Sequence, residues 1–297
     1  MSAPAETVTT QRPTTQADAT EVRMRMGVGA LLAYLVLGVA VLIIAVPLVW
    51  MVLGSFKTRA EILTVPIRWL PASVGPDNYL TAWHDAPFDR FYLNSLLVTT
   101  LGGGLKVVNG VLTAYALVFL RFPKKSLVFY AVLGALMVTA QITLIPNYVF
   151  VANLGWIDTY AGLIVPSAAT AIGTFMFRQH FLTIPREVIE AARMDGVGHV
   201  GLLWRVILPM SRPTLVTFSL LAAVWEWNDF LWPLLVTNSL TMRTLPIGLT
   251  YLRSTEGATN WGAVMAGTVL VVLPVLVFFL WAQRHIVSGI MSGSVKG

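Results

Sequence analysis

Between residues 225 and 232 a largely apolar chain reads Trp-Glu-Trp-Asn-Asp-Phe-Leu-Trp. Indole faces pack on sugar rings, and amides and carboxylates exchange hydrogen bonds with hydroxyls. Trp225, Glu226, Trp227, Asn228 and Asp229, with Trp232 a turn further on, are therefore candidates to line a passage for a polar solute. An uncompensated carboxylate at the centre of a bilayer costs about 2.5 kcal/mol or more, so Glu226 and Asp229 each need a reason to be there. Two plainer readings stay open: the acids pair with Lys106, which interrupts another apolar run, or they reach the outer surface. Tryptophan also gathers at membrane interfaces without touching any solute.

Other chemistries find little support. The chain has no cysteine, which excludes disulfides, zinc–thiolate sites and a cysteine nucleophile. Its four histidines, at 84, 180, 199 and 285, are scattered, and no Ser/His/Asp or His/Glu grouping converges, so neither catalytic residues nor a metal site is expected. Gly-Gly-Gly-Leu-Lys at 102–106 lacks the spacing and the Ser/Thr of a phosphate loop, and no cofactor site is expected in this chain. Those glycines suit the close approach of two helices instead. The net charge is +6, but the basic residues flank apolar runs and form no patch, which argues against a nucleic-acid partner and for anchoring at lipid headgroups.

The elements that must hold these residues are membrane helices. The chain is 56% hydrophobic and 11% charged, about half the charged share of a soluble domain. About 20 apolar residues at 1.5 Å each cross the hydrocarbon core, and six stretches approach that length: 28–53, 92–120, 126–150, 159–177, 213–236 and 262–283. The expected fold is all-α and polytopic, with six transmembrane helices and both termini on one side. Residues 1–26, rich in Thr, Ala, Gln and Pro, read as a disordered cytoplasmic tail, with one membrane domain over 27–297. The first apolar run is too long for a signal peptide and no small-residue cleavage pattern closes it. Lys and Arg concentrate in the connections on the side of the termini, with Arg121, Lys124 and Lys125 in one short turn, which places that side in the cytoplasm. Pro47, Pro146, Pro166, Pro233 and Pro274 lie inside the runs, where each can kink a helix. Glu226 lies 13 residues past Pro213, about 20 Å along a helix and so in the outer half of its span.

The fourth and fifth runs are joined by a long cytoplasmic connection, 178–212, which is more than a turn requires. Pro185 and Glu187 suit the first turn of a helix, and Gly196 permits the left-handed conformation that ends one. Glu190 and Arg193 are spaced to pair, and Ala191 and Ala192 offer a smooth surface to another protein. A second short helix is expected over about 198–207, with Leu202, Leu203 and Val206 on one side, before Pro209 restricts it. The pattern predicts a two-helix hairpin at about 183–209; a solvated loop with its leucines against the bilayer is the alternative.

Glu190-Ala191-Ala192, then Gly196, then Leu208-Pro209 at this spacing resembles the "EAA" loop of ABC importer permeases, the membrane subunits of binding-protein-dependent uptake systems. Val206 stands where that family usually has isoleucine. The stretches 225–238, 273–290 and 293–297 are similar to the carbohydrate-uptake, MalG-like branch, and the resemblance covers about residues 28–297. It implies that Glu190, Ala191, Ala192, Asp195 and Gly196, framed by Leu208 and Pro209, form the coupling contact with a separate ATPase, and that the tail from Ser292 to Gly297 also touches it. It implies as partners a second, related permease subunit, two ATPase subunits that carry the ATP and Mg, and an extracytoplasmic solute-binding protein docking on outer loops, notably 238–261. It implies residence in a bacterial inner membrane and a sugar, oligosaccharide or glycerol-phosphate-type solute. The competing function is an ion-coupled secondary transporter, which calls for acidic residues near the midplane and paired broken helices; here one run alone carries two acids.

Overall fold

A computed structural model describes residues 17–253 and 259–294, and the side chains of 29–253 and 259–280. The chain divides into two compact units, Met1–Val52 and Leu53–Gly297. All regular elements of the described residues are helical. The first unit is dominated by α1 (Ala17–Gly54), whose side chains from Leu31 to Val49 are mostly exposed and apolar, as a helix facing lipid requires. Its first turns take in Ala17 to Met26 of the segment read as tail; residues 1–16 lie outside the described residues.

The second unit begins with two short helices, α2 (Arg59–Ile62) and α3 (Asp77–Asp85). The long α4 (Phe88–Phe119) follows, then α5 (Lys125–Leu136), α6 (Ala140–Asn153), α7 (Tyr160–Ile164) and α8 (Ala171–Leu182). Next come α9 (Arg186–Met194), α10 (His199–Leu202), a π-helical turn (Leu203–Ile207) and α11 (Leu208–Met210). The chain closes with α12 (Arg212–Asn228), α13 (Leu231–Val236), α14 (Leu245–Tyr251) and α15 (Trp261–Ser294). The centre is α4, packed on α8 and α12, with α15 against α12 and α3.

The six expected spans are not all single helices. Three helices are long and apolar enough to cross a membrane alone, at Gly29–Gly54, Phe88–Phe119 and Trp261–Leu280, and two bent pairs raise the count to as many as five. The run at 126–150 is two helices, α5 and α6, meeting at 101°. The run at 159–177 breaks after Ile164, beside Pro166, and restarts at α8, where the Thr170 hydroxyl accepts the Gly173 N–H at 3.1 Å. The run at 213–236 stops at Asp229, whose backbone is extended and whose carboxylate accepts the Trp232 N–H of the next helix. Pro47, Pro146 and Pro274, by contrast, sit inside unbroken helices.

Candidate functional site

The insert after α8 folds as a hairpin of short helices. α9 begins directly after Pro185, and Gly196, at φ +78°, turns the chain toward α10. That is the left-handed turn its glycine predicted. Leu202 and Leu203 face inward, with Val206 partly buried beside them, as their spacing suggested. Pro209 does not end the second helix: the π turn runs on into α11, and the bend, 83° between this segment and α12, falls at Ser211. The slack of an i→i+5 turn suits a proline placed just beyond it.

The hairpin shows two faces. Glu190, Ala191, Asp195, Gly196 and Pro209 are exposed, and exposed apolar side chains at Val188, Met194, Val200 and Trp204 surround them. Ala192 corrects the sequence reading, because it is buried at 9% and packs inward with Ile189; only Ala191 of the alanine pair faces outward. Leu208 is likewise part of the packing, and Glu190 and Arg193 form no ion pair.

What the hairpin packs against decides its mechanical use. Ile189, Ala192, Leu202, Leu203 and Ile207 share one core with Ala114 and Tyr115 of α4, Phe177 and Phe181 of α8, and Phe218 and Ala222 of α12. Phe177 and Phe218 meet edge-on at 5.2 Å, and Gly173 lets the Phe218 ring lie against the α8 backbone, since a Cβ there would be 2.4 Å from its tip. The Tyr115 hydroxyl donates to the His199 carbonyl oxygen at 3.1 Å and lies 3.0 Å from its Nδ1. Protein cores are close-packed, have low compressibility and transmit strain, and this one joins the hairpin to all three helices.

The same three helices, beyond this core, line an open cavity of about 520 Å³, within the usual range for small-molecule sites. All three broken runs meet there: α5–α6 contributes Gln141, Thr143 and Asn147, the α7–α8 break contributes Pro166, Ser167 and Thr170, and the α12–α13 break contributes Trp225, Asp229 and Trp232. Irregular backbone at membrane depth is tolerated where it is buried in protein or lines a water-filled cavity, and these breaks line the cavity.

Of the five sequence candidates, Trp225 and Asp229 line the cavity. Glu226 is buried behind the wall, its side chain 4% exposed, with Oε1 2.6 Å from Lys106 Nζ and accepting the Ser167 hydroxyl at 3.1 Å. Of the alternatives left open, pairing with Lys106 is thus the one realised for Glu226. Gly102 makes room for it, because a Cβ there would sit 3.2 Å from the carboxylate carbon. Trp227 points away, its indole N–H donating to the Val271 carbonyl of α15. Asn228 is exposed and donates to the Val224 carbonyl. Gln141, Thr143, Asn147, Ser167 and Thr170 were not singled out from the sequence; polar side chains at 143 and 147, one turn apart within an uncharged run, were the signal available.

At the far end from the hairpin, polar contacts lock the connections. Asn94 donates to the Thr241 and Arg243 carbonyls at 2.8 Å and accepts the Tyr160 hydroxyl at 2.7 Å. Asp158, at φ 62°, accepts the N–H groups of Asn238 and Ser239 at 3.0 and 3.1 Å. Burial works to raise its carboxyl pKa, but these Ser239 and Asn238 donors outweigh it and hold the group below the usual carboxylate range. The connection at 238–261 is therefore no open loop: Leu245 and Ile247 of α14 are fully buried, while residues 254–258 lie outside the described residues.

A family model for the inner membrane component of binding-protein-dependent transport systems matches residues 22–292. The chain belongs to this family. The permease is 36% identical over 278 residues to the probable ABC transporter permease protein YurM of Bacillus subtilis, covering 93% of this chain and 91% of that one. It is 33% identical over 272 residues to the sn-glycerol-3-phosphate transport system permease protein UgpE of Brucella suis, covering 89% and 96%. In fold the permease is similar to a bacterial ABC transporter involved in import of the acidic polysaccharide alginate, at TM-score 0.79 and 23% identity over 88% of this chain and 97% of that one. Membership decides between the two functions weighed above: the permease is a translocation component of an ABC importer, with ATP hydrolysis on a separate subunit.

Proposed function

We propose that the permease forms one wall of a solute path through a bacterial inner membrane and that its hairpin is the seat of the motor. The chain crosses six times, three of the crossings broken, with both termini and the hairpin in the cytoplasm. A second, related permease closes the cavity, two ATPase subunits carry ATP and Mg, and an extracytoplasmic binding protein delivers a sugar, oligosaccharide or glycerol-phosphate-type solute. The crystal structure of a bacterial alginate ABC transporter in complex with an alginate pentasaccharide-bound periplasmic protein supports such a partner.

The observation that carries this reading is the continuity of one set of helices: α4, α8 and α12 hold the hairpin at one end and line the cavity beyond it. Glu190, Ala191, Asp195 and Gly196 make the contact, with Ala192, Leu208 and Pro209 holding the hairpin's shape. Trp225 and Asp229 face the solute, Glu226 and Trp227 fix the wall, and Asn228 lies outside the cavity. The test is uptake by proteoliposomes holding the whole transporter and its binding protein. Ala191→Trp is expected to abolish ATP-driven uptake and to lose the ATPase on purification; full uptake in that variant contradicts the assignment.

A further inference from the structure

Resting on the path just proposed, we infer that this cavity wall passes neutral, hydroxyl-rich solutes and turns away anionic ones, through the locked Lys106–Glu226 pair and the cavity-facing carboxylate of Asp229. Lys106 is the one cation among the described residues lining the cavity. Its charge is cancelled on the spot by Glu226, 2.6 Å away, and that carboxylate is seated against Gly102 and held by Ser167. Asp229 faces the cavity with the Trp232 N–H, at 3.4 Å, as its hydrogen-bond donor. With Asp229 ionised, the wall carries one net negative charge.

Recognition of a phosphate or a uronate relies on charge-assisted bonds, above all from arginine forks, and this wall has none to offer. A carboxylate in a low-dielectric cleft also repels an entering anion more strongly than it would in water. What remains is neutral and suited to hydroxyls: Gln141, Thr143, Asn147, Ser167 and Thr170, with the face of Trp225 exposed at 44%. Relatives are named for sn-glycerol-3-phosphate and for alginate, both anionic; for this permease the inference narrows the proposed solutes to a neutral sugar or oligosaccharide.

The absence of cysteine allows a direct reading of the field. Ala169→Cys places one thiol at an exposed position on the cavity wall. In the assembled transporter in nanodiscs without ATP, its modification by a cationic and by an anionic methanethiosulfonate is followed by mass spectrometry of this chain, each rate relative to a free thiol. The cationic reagent is expected to lead by about tenfold, Asp229→Asn and Glu226→Gln each to bring the ratio close to one, and the two together, which leave Lys106 alone, to reverse it. An anionic lead, or a ratio unmoved by Asp229→Asn, overturns the inference, as does a phosphate- or uronate-bearing solute carried by the transporter. Because no nucleotide is present, failure of the hairpin as motor seat would leave these rates unchanged, whereas a thiol reached by neither reagent sinks the path itself.

Discussion

The hydroxyl of Tyr115 joins α4 to the hairpin through both the carbonyl and the imidazole of His199, at 3.1 and 3.0 Å. Nine residues before Tyr115 on the same helix, about 14 Å away, Lys106 stands at the cavity. One helix thus meets the hairpin near its C-terminal end and the proposed path near its middle. Tyr115→Phe removes both hydrogen bonds with little change in packing and is expected to weaken the hairpin by about 1 kcal/mol. Insertion should be normal, while ATPase activity becomes less responsive to the loaded binding protein; unchanged stimulation would count against the link.

Gly196 is needed for its backbone. A Cβ there would meet nothing within 4 Å, yet φ is +78°. Gly196→Val is expected to cost roughly 1–2 kcal/mol and to reduce co-purification of the ATPase. Gly196→Asn should be far milder, since asparagine enters the left-handed region readily. Equal defects in the two variants would mean that surface, and not turn geometry, is at stake.

The ion pair between α4 and α12 is buried, so its halves are worth more together than apart. Lys106→Met alone strands the Glu226 carboxylate and is expected to destabilise by about 3–5 kcal/mol, seen as a lower Tm in nanodiscs. Lys106→Met with Glu226→Leu should recover most of that loss. A double variant as unstable as the sum of the singles would show that the two charges are held by other partners.

Asp158 links pH to the integrity of the connections far from the hairpin. Its pKa is lowered by the Ser239 and Asn238 donors, net of burial, so its contribution is present above the ordinary carboxylate value and is lost as pH falls through the lowered one. Hydrogen exchange at Asn238 and Ser239 is expected to speed up in that acid window. Asp158→Asn, which tolerates the positive φ, should exchange fast at neutral pH already and change little on acidification; a wild-type-like acid response in that variant would contradict the role.

Much of the hairpin was legible because its signals are local: Gly196 announces its turn, and the spacing of Leu202, Leu203 and Val206 announces the inward side. Two adjacent alanines, Ala191 and Ala192, carry no such sign, and only packing shows which one faces out. Hydropathy located the apolar runs but not their breaks, since it measures how greasy a stretch is and not whether one helix spans it. The bend at Met137–Thr139 contains neither proline nor glycine, whereas Pro47 and Pro274 sit in unbroken helices. The Lys106–Glu226 pair joins residues 120 apart in sequence, which charge counting offers as one option among several.

The most direct measurement uses the contrast between neighbours 191 and 192. Ala191→Cys and Ala192→Cys, each the only thiol of this chain, are loaded with a photoactivated crosslinker in the assembled transporter and irradiated. The exposed position 191 is expected to capture the ATPase subunit and the buried position 192 to capture little. Capture at 192 without capture at 191, or at neither, would contradict the claim that the outer face of this hairpin seats the motor.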